Sequence, residues 1–170
     1  MKELLIVIDM QKDFLTGALA NVNEKSVTKN VKNKIEEWRN ANKEIVFTRD
    51  THDNNYMQTQ EGKRLPVPHC IKDTDGWQIV DGLTNGTETV FDKPTFGSIE
   101  LAKYVRNGGY ERVELVGVCT DICVVSNAIL IKAFCPETIV AVDGNCCAGV
   151  TQESHEAALA TMSACQIELV

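Results

Sequence analysis

The stretch RVELVGVCTDICVVSNAILIKAF, Arg112 to Phe134, runs from a branched apolar segment through a turn with two cysteines into an apolar segment of helical length. RVELVGV reads as a strand and Asp121 to Phe134 as a helix, which puts Cys119 and Cys123 at a strand-to-helix junction. The same alternation extends in both directions. LLIVI, Leu4 to Ile8, is an unbroken apolar run ending at Asp9, the pattern of a strand buried on both faces. Val27, Val31, Ile35 and Trp38 line one face of a helix over Ser26 to Ala41, and EIVFTRD follows as a second strand. TETVFD predicts a third strand, Ser98 to Arg106 a helix, ETIVAVD a fifth strand, Thr151 to Ala164 a helix and CQIELV a sixth strand.

Strands alternating with helices predict the α/β class: a doubly wound, Rossmann-like sheet of six mainly parallel strands with helices on both faces. Residues 1–170 form one domain, with no internal repeat or linker. Residues 51–86 are polar, rich in Asp, Asn, Gly and Pro, and without a clear period, which predicts a long functional loop or lid.

The composition, 44% hydrophobic and 24% charged, suits a soluble domain, and the formal charge of −7 opposes nucleic-acid binding. No run approaches the roughly 18 apolar residues of a membrane span. Seven cysteines, an odd number without a signal-peptide pattern, point to reduced thiols and a cytoplasmic protein with a small substrate.

In doubly wound sheets ligands bind beyond the carboxyl ends of the strands, where the strand order reverses. Asp9, Asp50 with His52, Lys93, and Cys119 with Cys123 all follow strands and so share that rim. With Thr120 as N-cap, Cys123 becomes the third residue of its helix, where the positive helix end and a nearby lysine favour thiolate. Cys123 is the expected nucleophile. No histidine lies near it in sequence, but a carboxylate with a cationic neighbour can accept its proton, and Asp9 and Lys93 fit those roles. Asp50-x-His52, with His69 in LPVPHC across the loop, supplies three ligands and leaves positions open, as a catalytic metal requires.

The runs IDMQKDF (Ile8 to Phe14), FDKPTFGS (Phe91 to Ser98) and GVCTDICV (Gly117 to Val124) resemble, in order, three signature blocks of the isochorismatase-like cysteine hydrolases, most closely the nicotinamidase-type branch. The resemblance implies a catalytic triad of Asp9, Lys93 and Cys123, and a thioester intermediate in the hydrolysis of a small amide to acid and ammonia. It implies a cis peptide at Val118–Cys119 that aims the backbone N–H groups of Cys119 and Cys123 at the oxyanion. It further implies a divalent metal, zinc, iron or manganese, on Asp50, His52 and His69, with Glu61 matching a loop carboxylate that some members add. A homo-oligomer is also expected, and no organic cofactor.

Phe14 and Phe96 are expected to line the substrate pocket. Where nicotinamidases commonly place a second aromatic residue, this chain has Pro66 preceded by Leu65, so Leu65 supplies an aliphatic wall. Trp77 is either a further pocket aromatic or a packing residue. His155 is expected to be solvated or to cap its helix, and Cys135 and Cys165 to be buried. Within the same family, vinyl-ether hydrolysis and carbamoyl or ureido amide hydrolysis remain open. Outside it, so do a thiol redox protein using the Cys119/Cys123 pair and a catalytically silent binding protein.

Overall fold

The computed structural model describes residues 1–170. The elements run β1 (Glu3–Ile8), α1 (Lys12–Leu15), α2 (Glu24–Asn40), β2 (Glu44–Asp50), a 3-10 turn (Tyr56–Gln58), α3 (Gln60–Arg64), β3 (Thr89–Lys93), α4 (Ile99–Gly108), β4 (Arg112–Val118), a π turn (Thr120–Val124), α5 (Val125–Phe134), β5 (Ile139–Ala148), α6 (Gln152–Ala164) and β6 (Glu168–Leu169). All six strands are parallel, in the order β3-β2-β1-β4-β5-β6. The order reverses between β1 and β4, so Asp9 and the two cysteines leave the sheet on either side of the switch point.

β1 is central and buried on both faces, and its alternation divides the core. Leu4, Ile6 and Ile8 point to the side covered by α4, α5 and α6, meeting Leu101, Val105, Ala128, Ile131 and Met162. Leu5 and Val7 point to the side covered by α2, meeting Val27, Val31, Ile35 and Trp38. Each of those four α2 side chains is almost fully buried and is worth about 1.5–3 kcal/mol in transfer energy. At the switch point β1 and β4 come closer than a side chain permits. A Cβ on Gly117, whose φ is +118°, would lie 2.1 Å from the Ile8 carbonyl oxygen.

Residues 51–86 depart from the simple lid expected for them. The segment holds the 3-10 turn and α3, and Trp77, Ile79 and Leu83 pack into the α2-side core. It is pinned at two places, by a bridge of His52 to Ile71 and one of Gln11 to Ile79. Its apolar residues are too widely spaced to show a period, yet each is individually buried. Trp77 is one of these. Its indole donates to Thr51 Oγ1 at 2.8 Å and the Arg49 guanidinium stacks 3.6 Å from its ring, a packing role.

β5 runs to Ala148, beyond Asp143, so Cys146 and Cys147 are buried strand residues. Cys135 is buried but Cys165 is exposed, contrary to expectation, because it follows the last turn of α6 rather than entering β6.

Candidate active site

The rim residues converge. β1 ends at Asp9, held at φ +46° with its N–H on Thr48 Oγ1 (3.1 Å), while that hydroxyl donates to Asp9 Oδ1 at 2.6 Å. Lys93 is the last residue of β3 rather than the residue after it. Its ammonium lies 2.6 Å from Asp9 Oδ2 and 3.5 Å from Cys123 Sγ, and donates to the Thr95 carbonyl at 3.1 Å. The Asp9–Lys93 contact is a fully buried ion pair. All three side chains are buried.

Electrostatics inside this group follow from that burial. Desolvation, then the Asp50 charge, push the Asp9 carboxyl up, with Lys93 and Thr48 opposing. Burial alone would lower the Lys93 ammonium, but Asp9, Cys123 and Asp50 outweigh it and keep it protonated. Desolvation, then Asp9, push the Cys123 thiol well up against the pull of Lys93. This corrects the expected thiolate at a helix start. Cys119, not Thr120, is the cap residue, and Cys123 sits inside a π turn, where burial dominates its protonation. Burial thus favours the protonated thiol, with the Lys93 ammonium as its hydrogen-bonding neighbour.

The peptide Val118–Cys119 is cis, as the resemblance implies. The turn after it is closed by the Ile122 and Val124 amides on the Cys119 carbonyl, at 3.1 and 3.0 Å.

Asp50, His52, Glu61 and His69 form the second group, each offering one ligand atom, all within 4.8 Å of one another. His52 Nε2 is 2.8 Å and His69 Nε2 3.4 Å from Asp50 Oδ2, and both histidines are near Glu61 Oε1, at 3.6 and 3.7 Å. His69 Nδ1 contacts the Val67 carbonyl at 2.8 Å, which fixes the ring and turns Nε2 inward, as a backbone carbonyl does for a metal-binding histidine. Asp50 Oδ1 is buried with no hydrogen-bond partner. That orphaned oxygen, two imidazoles and a second carboxylate fit a divalent cation of the borderline class. Burial would raise Asp50, but His52, His69 and Lys93 hold it well below the usual carboxylate range; burial, then Asp50, push Glu61 up.

Both groups open on one cavity of about 620 Å³. Phe14, Leu65, Phe96 and Ile122 line it with Cys119, Cys123, Asp50, Glu61 and His69. Asp50 and Glu61 are its only charged lining residues.

Three supporting residues escaped the sequence reading. Thr48 fixes Asp9. Gln11 accepts from the Asp50 N–H at 2.7 Å and donates to the Asp50 and Trp77 carbonyls at 2.8 and 2.9 Å. Asn127 accepts from Ser98 N–H at 2.9 Å and donates to the Cys123 and Phe96 carbonyls at 2.8 and 3.0 Å, joining the lysine and cysteine blocks. An amide side chain four positions after Cys123, one turn along a mostly apolar helix, is the available signal for Asn127. His155 is half-buried against the π turn rather than fully solvated, with a ring nitrogen on the Thr120 hydroxyl.

The isochorismatase-domain family model matches residues 3–170. The chain belongs to the isochorismatase family. It is 28% identical to the nicotinamidase/pyrazinamidase of Mycobacterium tuberculosis, over 98% of this chain and 97% of that one. Among solved family members, the Pyrococcus horikoshii pyrazinamidase in complex with zinc superposes with a TM-score of 0.83 at 30% identity, covering 100% and 99% of the two chains. The Streptococcus mutans pyrazinamidase/nicotinamidase does so with a TM-score of 0.87 at 26% identity, covering 99% of each.

Proposed function

We propose that this isochorismatase-family chain is a metal-assisted cysteine amidohydrolase of the nicotinamidase type, with Cys123 as nucleophile, Asp9 as proton carrier and Lys93 as their fixed cation. The observation that carries it is the Lys93 ammonium in simultaneous contact with Asp9 (2.6 Å) and Cys123 (3.5 Å) beneath a cavity that a metal-binding group also faces.

Cys123 passes its proton to Asp9 Oδ2 as sulfur bonds to the amide carbon, and Lys93 stays charged throughout, stabilising carboxylate and thiolate in turn. The oxyanion is received by the backbone N–H groups of Cys119 and Cys123. Asp9 then returns the proton to the leaving nitrogen; the C–N bond breaks, ammonia departs and a Cys123 thioester remains. Water gives a proton to Asp9 as its oxygen bonds to the acyl carbon, and Asp9 passes that proton to the Cys123 sulfur as the C–S bond breaks, leaving acid and free thiol. Asp50, His52, Glu61 and His69 hold the divalent metal, with zinc favoured by the histidine content and by the zinc-bound relative. Bound there, the metal supplies Lewis acidity toward a substrate donor atom or water.

The substrate is a neutral carboxamide. No lysine or arginine lines the cavity, so a substrate carboxylate would have to compete for the metal-binding group. A redox role is disfavoured because burial, then Asp121, push the Cys119 thiol up to about 12, leaving it a poor resolving nucleophile. The seven free cysteines suit the reducing cytoplasm, and family likeness favours a homo-oligomer.

The test is ammonia release from nicotinamide, pyrazinamide and aliphatic amides by metal-loaded protein. Turnover abolished by Cys123→Ala is expected; a folded, metallated protein that hydrolyses none of them overturns the reading.

A further inference from the structure

The π turn that carries Cys123 is braced from outside the site. Thr120, its first residue, is completely buried, and its Oγ1 lies 2.7 Å from His155 Nδ1 on α6. The hydroxyl makes no other side-chain hydrogen bond. The next residue is also tied to the β5–α6 connection, Asp121 Oδ1 accepting from the Val150 N–H at 3.2 Å. The connection is itself anchored, since Asn21 Nδ2 donates to the Gly149 carbonyl at 3.0 Å. Gly149 gives His155 its place: a Cβ there would come within 2.9 Å of the His155 Cβ and N and of the Thr151 carbonyl. Thr151 and Ser154 form a capping box that starts α6 one turn before His155.

We propose that His155 is a positioning residue, holding Thr120 and through it the Cys119 and Cys123 amides in register with the attacked carbonyl. The proposal rests on the amidohydrolase reading for its catalytic consequence, but not for the brace itself. His155 lies outside the cavity lining and makes no hydrogen bond or ion pair with Asp9, Lys93 or the metal-binding group, so it acts on the geometry of the turn and not on proton transfer. A displacement of about 1 Å at such a site costs on the order of 100-fold in rate.

The experiment pairs steady-state kinetics with hydrogen exchange. His155→Ala and Thr120→Val should each lower kcat by roughly 10- to 100-fold with KM little changed, and the double variant should be no worse than either, because both remove one hydrogen bond. His155→Asn, which keeps a polar atom near the Nδ1 position, should restore most of the rate. Amide exchange over residues 119–124 should quicken in His155→Ala while that of β1 and α2 stays unchanged. Unchanged exchange over 119–124, additive kcat losses, a loss in KM alone, or failure of His155→Asn to restore the rate overturns the proposal. General loss of exchange protection makes His155 a stability residue and overturns it equally. If the wild type hydrolyses no amide, the amidohydrolase reading falls, and the exchange pattern alone decides the brace.

Discussion

The Asp9–Lys93–Cys123 group and the Asp50–His52–Glu61–His69 group face one cavity but neutralise their charges by different means. The first is internally complete: its ammonium balances its carboxylate, and all three side chains come from the ends of β1 and β3 or the turn after β4. The second has two carboxylates and two imidazoles and no full cation of its own, and three of its four residues, His52, Glu61 and His69, come from the irregular 51–86 segment. Lys93 lies 3.7 Å from Asp50 Oδ1, so one cation edges both groups. A charge-complete group is expected to fold as it works, whereas the second is expected to gain stability from its ion.

Breaking the first group has the largest expected effects. Cys123→Ala should lower ammonia release by at least about 1,000-fold with little change in stability, since it removes the attacking atom and no charge. Asp9→Asn should cost both. Rate falls by about 100- to 10,000-fold, and the buried Lys93 ammonium left without its counter-ion destabilises the fold by about 3–5 kcal/mol. Asp9→Asn with Lys93→Met should recover most of that stability in urea titrations and none of the activity. A single Asp9→Asn variant as stable as wild type would show that the pair is not charge-complete.

The second group should respond to metal where the first does not. Added zinc at 100 times its Kd should stabilise the wild type by about 2.7 kcal/mol, read as a rise in Tm. His52→Ala should lose that response and retain little metal by elemental analysis, with kcat/KM down by about 100-fold. Equal metal content in variant and wild type would remove His52 from the ligand set. Leu65→Trp probes the wall between the ligand group and solvent: an added aromatic face should lower KM for a pyridine carboxamide by up to about tenfold, with no gain for an aliphatic amide of similar size. A uniform change across both amides would mean that Leu65 does not face the substrate ring.

The same division explains what could be read from the residues. β1, β2 and β4 are short apolar runs buried on both faces, so their ends, and hence Asp9, Asp50 and the cysteines, were visible as transitions in the pattern. Lys93 was placed just past a strand that in fact includes it, an error of one residue that leaves its side chain in the site. The four-ligand group needed a pairing across 51–86, and no period marks that segment because its anchors, Trp77, Ile79 and Leu83, are buried one at a time. The π turn was hidden for another reason. The composition of TDICVVSN is that of an ordinary helix start, and the contacts that surround the turn, of Gly117 with β1 and of Thr120 and Asp121 with the β5–α6 side, are between residues far apart in sequence.

The smallest expected effect concerns Cys119, the thiol that sequence alone pairs with Cys123. Its side chain is half-buried at the cavity wall, its thiol is pushed up to about 12 by burial, and it contacts neither Asp9 nor Lys93 by hydrogen bond. Its carbonyl, by contrast, receives the two amides that close the π turn. Cys119→Ala keeps that backbone and removes only the thiol, so kcat should stay within about threefold of wild type, the effect of a substitution that leaves no buried partner unsatisfied. Loss of more than tenfold in kcat, with ordinary stability and metal content, would mean that the Cys119 sulfur itself takes part and that the charge-complete group has a fourth member. Activity retained in Cys119→Ala but lost in Cys123→Ala would separate the two cysteines by what each contributes, an amide from one and a nucleophile from the other.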